Sequence, residues 1–94
     1  MKAYLVGFSS LATKDTRWVN TYSSIAKDIL KKHEAKVLLI GKPEGIFSKK
    51  DWERLTIIEF PSIEKLKSFH EDPEYSKVKE LRVKNTFGEM YFLV

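Results

Sequence analysis

The chain has 94 residues, 17 Lys and Arg against 13 Asp and Glu, and a net charge of +4, which is room for one domain spanning 1–94 and not for two. With 43% hydrophobic and 32% charged residues it is too apolar for a disordered chain and too charged for a membrane-spanning one. The absence of cysteine excludes disulfides, thiolate metal sites and thiol nucleophiles.

Folding buries only about 65% of a chain this small, so a partner subunit would help the core. The apolar run at Ala3-Tyr4-Leu5-Val6-Gly7-Phe8 is too short for a secretory segment, and a cytoplasmic location is expected. Residues 1–50 carry ten bases and four acids, whereas residues 51–94 carry seven bases and nine acids. The lysines of the first half have no interleaved aromatic residues, so they read as a solvated face rather than a nucleic-acid footprint.

In chain order, residues 3–8 read as a strand. A helix follows from Asp15, with Trp18, Tyr22, Ile25 and Ile29 at helical spacing, flanked by Val19, Ala26 and Leu30. Thr13 or Asp15 is its expected N-cap, and Lys31, Lys32 and His33 suit its C-terminal end. Val37–Ile40 closed by Gly41 and Leu55–Phe60 closed by Pro61 read as two more strands. The connection between them, residues 42–52, is long for a hairpin and carries Ile46, Phe47 and Trp52. Ser62 caps a second helix bearing Ile63, Leu66 and Phe69. Asp72-Pro73 then restarts the chain as a third helix with Tyr75, Val78 and Leu81 on one face. Asn85 stops that helix, and Glu89–Val94 forms the last strand.

The order is β-α-β-β-α-β with the second helical unit split at Pro73. That is the ferredoxin-like α+β pattern, an antiparallel sheet with helices on one face. A half-covered sheet should alternate apolar with polar, yet these strands carry apolar residues on both faces. Met90, Phe92 and Val94 oppose Tyr91 and Leu93, while Tyr4, Val6 and Phe8 oppose Ala3 and Leu5. An identical chain covering the second face would resolve this, giving a symmetric homodimer with its sheets packed together, a dimeric α+β barrel.

Ile58-Glu59-Phe60-Pro61-Ser62, Phe69-His70-Glu71-Asp72-Pro73-Glu74-Tyr75 and Arg82, with Tyr22 in the first helix, resemble the domain of unknown function 1330 family, over nearly the whole chain. The resemblance implies a ferredoxin-like subunit of the dimeric α+β barrel group, with a cavity, and no established reaction. Related barrel families include cofactor-independent monooxygenases, haem-degrading enzymes and isomerases, among which a shared fold does not choose. The sequence departs from the resembled pattern before its second strand, where His33-Glu34-Ala35-Lys36 replaces paired glycines.

Six residues are candidates for a site. Glu59 is a carboxylate in an apolar strand, either a general base or an acid bound to Arg54, Arg82 or a strand-edge amide. Arg82 either anchors a substrate carboxylate or pairs with Glu59, Glu74 or an acid of a partner chain. Tyr75 packs under the third helix and can serve as a proton donor. His70 is either a proton shuttle at a pocket mouth or a surface histidine. Tyr22 and Trp52 are candidate ligand contacts, although Tyr22, like Trp18, also lies on the core stripe of its helix. The 42–52 loop is either a lid over the cavity or an arm across the dimer. His33 has no evident partner. Two histidines without ligand spacing point to no metal site, no cofactor is expected, and neither a phosphate loop nor a nucleophile elbow is present. The RNA-binding signature of ferredoxin-like domains is also missing from Arg54–Phe60. The expectation is a homodimer that binds a small anionic or carbonyl-bearing molecule, with Glu59 as base or orienter and Arg82 as anchor; a non-enzymatic regulatory or scaffold dimer is the alternative.

Overall fold

The computed structural model describes residues 1–94 as β1 (Ala3–Leu11), α1 (Arg17–Lys32), β2 (Lys36–Gly41), β3 (Arg54–Phe60), α2 (Ile63–His70), α3 (Pro73–Asn85) and β4 (Thr86–Leu93). One antiparallel sheet has the strand order β2-β3-β1-β4, and the fold is the ferredoxin-like α+β arrangement that the element order predicts. All three helices lie on one face. The body measures 32 × 31 × 17 Å, a slab one sheet and one helix layer thick. No helix is long and apolar enough to cross a membrane.

Strand register decides which residues meet the helices, because directly paired residues share a face. Ala3 pairs with Phe60, and Leu5 with both Ile58 and Phe92. This face carries the core: Ala3, Leu5 and Phe60 are buried with Leu66 and Phe69 of α2, Tyr75 and Val78 of α3 and Ile29 of α1. The Phe69 ring centre lies 4.5 Å from that of Tyr75 and 5.5 Å from that of Phe60, so aromatic packing joins both short helices to the sheet.

Helix ends follow local chemistry, with some shifts from expectation. The Ser62 hydroxyl accepts a hydrogen bond from the Lys65 amide at 3.2 Å, and the Asp72 carboxylate one from the Glu74 amide at 2.9 Å, with Pro73 in the first turn. Helix α1 begins two residues later than expected. Asp15 still accepts from the Arg17 amide at 3.0 Å, but Thr16 occupies the cap position without using its side chain. Strand β1 runs on to Leu11, and α3 passes directly into β4 at Thr86, so the last strand starts earlier than Glu89. On α1 the buried positions are Ala26 and Ile29, while Ile25 faces outward.

At the end of α1 the Ala35 amide donates to the Leu30 carbonyl at 2.9 Å and the Glu34 amide to that of Lys31 at 3.1 Å. These two bonds make a Schellman motif, whose turning residue must be left-handed. That residue is Glu34, at φ 60°, a conformation glycine adopts without steric cost. This is the segment where the resembled pattern carries glycines.

The other face of the sheet is bare. Leu39 of β2, Ile57 of β3, Val6 of β1 and Tyr91 of β4 pair in one row across all four strands, and Tyr4 pairs with Leu93 beside it. Tyr91 and Leu93 are more than half exposed, as is Leu39. The chain exposes 6961 Å² in total, against about 5,600 Å² for a globular monomer of this mass. The two-sided apolar strands of the sequence are therefore real, and their second face is uncovered in the single chain.

Candidate functional site

Between α1 and the inner face of the sheet lies a cavity of about 1010 Å³. Its origin is legible in β1. The inward positions after Leu5 are Gly7 and Ser9, and Gly7 pairs with Thr56 of β3. Where large residues would fill the space beneath α1, the floor is small. Helix α1 packs chiefly along α3, and Ile29 near its C-terminal end joins the core on the sheet. Trp18, Tyr22 and Ala26 of α1 form the roof, and Tyr75 and Arg82 enter from α3 two helical turns apart.

Three of the six candidate residues meet here: Tyr22, Tyr75 and Arg82. The Tyr22 and Tyr75 hydroxyls are 3.0 Å apart, and their ring centres 6.4 Å. Burial pushes the Tyr22 phenol well above its ordinary value, the Tyr75 hydroxyl adds to the rise, and the Arg82 guanidinium opposes it. The phenol is thus held neutral, able to donate or accept a hydrogen bond. Two further donors are buried without a partner: Nε of Arg82 and Nε1 of Trp18. Buried donors are almost always satisfied in folded proteins, and both of these orphans belong to residues that line the cavity, one on α1 and one on α3.

The charged side chains of the lining are Lys27, Lys31, Arg54, Arg82 and Glu53, four cations to one carboxylate. That excess raises the potential of a half-open, low-dielectric space and favours anions. Glu53 holds the rim, where its Oε1 accepts from the Leu11 amide at 2.9 Å. No three carboxylate or imidazole side chains gather in metal-ligating proximity.

The other candidates lie elsewhere. Glu59 pairs with Tyr4 and Lys36 in the register and so projects from the outer face, across the sheet from the cavity. Its Oε1 is 3.2 Å from Lys2 Nζ and 3.4 Å from the Tyr4 hydroxyl; the arginine partners expected for it are on the other side. Trp52 is also on the outer face, with its ring centre 6.4 Å from that of Phe8. His70 ends α2 with its ring edge against Phe92, centroids 5.9 Å apart. Burial, then the nearby Lys79 and Arg82 charges, hold its pKa below the ordinary imidazole value, with Glu71 opposing. It flanks the Arg82 helix without lining the cavity.

Sequence reasoning assigned Trp18 to core packing and passed over the small floor residues. The signal for the floor was present in β1 as Leu5, Gly7, Ser9 at alternate positions. The orphaned donors had no sequence signal, because a missing partner is a property of three-dimensional packing.

A family model described as "Domain of unknown function (DUF1330)" matches residues 2–94. No curated protein matches the sequence. Among solved structures, a protein of unknown function from Rhodopseudomonas palustris superposes with a TM-score of 0.80 at 17% identity, covering 98% of this chain and 80% of that one. SnoaB, a cofactor-independent oxygenase from Streptomyces nogalater, gives 0.71 at 6% identity, covering 99% and 91%. A dimeric protein of unknown function with a ferredoxin-like fold from Bacteroides fragilis gives 0.66 at 11% identity, covering 97% and 93%. At these identities the likeness is one of fold.

Proposed function

The chain belongs to the domain of unknown function 1330 family, and we propose that it is a cytoplasmic homodimer in which each subunit binds a small, largely apolar carboxylate or ketone in the cavity beneath α1. The observation that carries this reading is the convergence of Arg82, Trp18 and the Tyr22–Tyr75 hydroxyl pair on one cavity, two of these residues carrying unpartnered buried donors, Arg82 Nε and Trp18 Nε1. A ligand oxygen drawn in between α1 and α3 would supply the acceptor those groups lack, while the apolar part of the lining accepts the body of the molecule. Arg82 is the anchor and Trp18 the second donor. Tyr22 and Tyr75 polarise a carbonyl oxygen or hold a proton near it. Glu59 belongs to the outer face in this reading, and works there rather than as a base on the bound molecule.

The dimer follows from the bare outer face. An apolar row across four strands is a liability in water, and the roughly 1,300 Å² by which the exposed surface exceeds that of a globular monomer is more than the 800 Å² or so that each partner buries in a stable complex. A dimeric ferredoxin-like relative supports the same assembly. Without cysteine, the chain gains nothing from an oxidising compartment, in keeping with the cytoplasm.

The test is a thermal-shift titration with aromatic and alicyclic carboxylates and ketones, followed by calorimetry on any compound that shifts the melt. A ligand at 100 times its Kd should stabilise the protein by about 2.7 kcal/mol. Arg82→Gln should abolish the shift and Glu59→Gln should leave it intact. A shift that survives Arg82→Gln, or disappears only with Glu59→Gln, overturns the assignment of the site.

A further inference from the structure

The 42–52 connection carries two apolar side chains, Ile46 and Phe47, that touch nothing in their own chain and are fully exposed. A lid over the cavity would approach the inner face of the sheet. The end of this loop does the opposite. Trp52 rests against Phe8 on the outer face with ring centres 6.4 Å apart. Lys50 lies over the Trp52 ring at 5.4 Å and reaches Glu89 Oε1 at 3.4 Å, and Glu89 is the β4 residue paired with Phe8. Immediately after Trp52, the Glu53 amide donates to the Ser9 carbonyl and to the Ser10 hydroxyl, both at 3.1 Å. The loop is therefore pinned on the side of the sheet opposite the cavity, across β1 and β4, at one end of the bare apolar row.

We infer that residues 42–52 form an arm whose Ile46 and Phe47 pack against a second copy of this chain. The inference rests on the homodimer proposed above and adds a second contact to it. A sheet face alone meets its partner on one plane, whereas two apolar side chains on an arm anchored at the edge of that plane reach around the partner's strands. Fully exposed Ile and Phe side chains contribute to the excess surface of the single chain, and burying a pair of them is worth about a hundredfold or more in association before the cost of ordering the arm is subtracted. Lys49, Lys50 and Asp51 beside them keep the arm soluble before assembly.

The experiment is sedimentation equilibrium of the wild type and of the double variant Ile46→Ser/Phe47→Ser, with photocrosslinking from p-benzoylphenylalanine placed at position 47. The expected result is a wild-type dimer, a dissociation constant raised about tenfold or more in the double variant, and crosslinks between chains. Circular dichroism of the variant should be unchanged, because neither side chain supports its own subunit. A dimer whose dissociation constant is unmoved by the double substitution overturns the arm and leaves the dimer standing. Crosslinks confined within one chain to α1 overturn it in favour of a lid. A wild type that is monomeric at all concentrations removes the assembly itself, and the arm with it.

Discussion

His33 Nε2 lies 2.6 Å from Asp72 Oδ2, joining the C-terminal end of α1 to the first residue of the α3 turn across 39 positions of sequence. Lys32 Nζ reaches the same oxygen at 3.2 Å, while the other carboxylate oxygen caps the Glu74 amide. One buried carboxylate thus stabilises a helix start and fixes the far end of the cavity roof. The His33 hydrogen bond, ahead of the Glu74 amide and Lys32, holds its pKa down at about 2.

The folded-state pKa of Asp72 is depressed below its ordinary 3.8, so the unfolded chain takes up the proton first on acidification. The stability contributed by this group is full above pH 3.8 and is lost as pH falls toward 2. Asp72→Asn should flatten that limb. Denaturant melts of both proteins between pH 2 and 6 check this, and the difference between them isolates Asp72 from Asp15 and Glu34, which are also held low. Asp72→Ala should lower Tm at neutral pH by about 4–8 °C, as loss of one good N-cap does in a domain this size.

Tyr22 gives the opposite sign. Its pKa is raised in the fold, so its contribution is complete below pH 10 and is lost as pH rises past it. Absorbance titration should show a tyrosine component that ionises only beyond the ordinary phenol range, together with unfolding. Tyr22→Phe should remove that delayed component and cost about 1 kcal/mol for the lost bond to Tyr75.

Gly7 sits on the cavity floor with room above it. A Cβ there would meet only Met90 Cγ, at an ordinary 3.8 Å, and its φ is not positive. Gly7→Val should therefore fold as well as the wild type, since valine suits a strand better than glycine, and yet abolish ligand-induced thermal shifts by filling the space under Trp18 and Tyr22. A variant that binds unchanged would place the ligand somewhere else.

Glu34 holds a left-handed conformation that glycine adopts freely. Its one compensation is an exposed ion pair with Lys65 at 2.8 Å, a kind of contact worth little in water. Glu34→Gly should raise Tm by roughly 4 °C, measured against Lys65→Ala, which should leave Tm close to that of the wild type.

On the outer face, Tyr91→Lys or Leu93→Lys places a charge in the apolar row and should weaken self-association at least about tenfold. Light scattering across micromolar concentrations is the measurement. Dimers unaffected by both substitutions would mean that another surface is used.

Local patterns carried most of the fold into the sequence. The split at Pro73, the caps at Ser62 and Asp72 and the two-faced strands are each decided within a few residues, and each is found in place. The site was half legible. Tyr22, Tyr75 and Arg82 come together because they lie on facing helix stripes, which periodicity can reveal. Glu59 was drawn to the same site by its chemistry, but strand register sends it to the other face, and one residue of register reverses a side chain completely. The His33–Asp72 contact was invisible because nothing local to either residue encodes a partner 39 positions away.

Strand β1 works as a wall with a different tenant on each side. Leu5, Gly7 and Ser9 line the cavity, and Tyr4 and Val6 face the opposite surface. Because alternate residues answer to separate constraints, the odd positions can drift in size and polarity without disturbing the even ones. The period of two thus makes the chamber evolvable apart from the outer face: the size and polarity of its floor can change through Gly7, Ser9 and Thr56 while the apolar row on the other side keeps its composition.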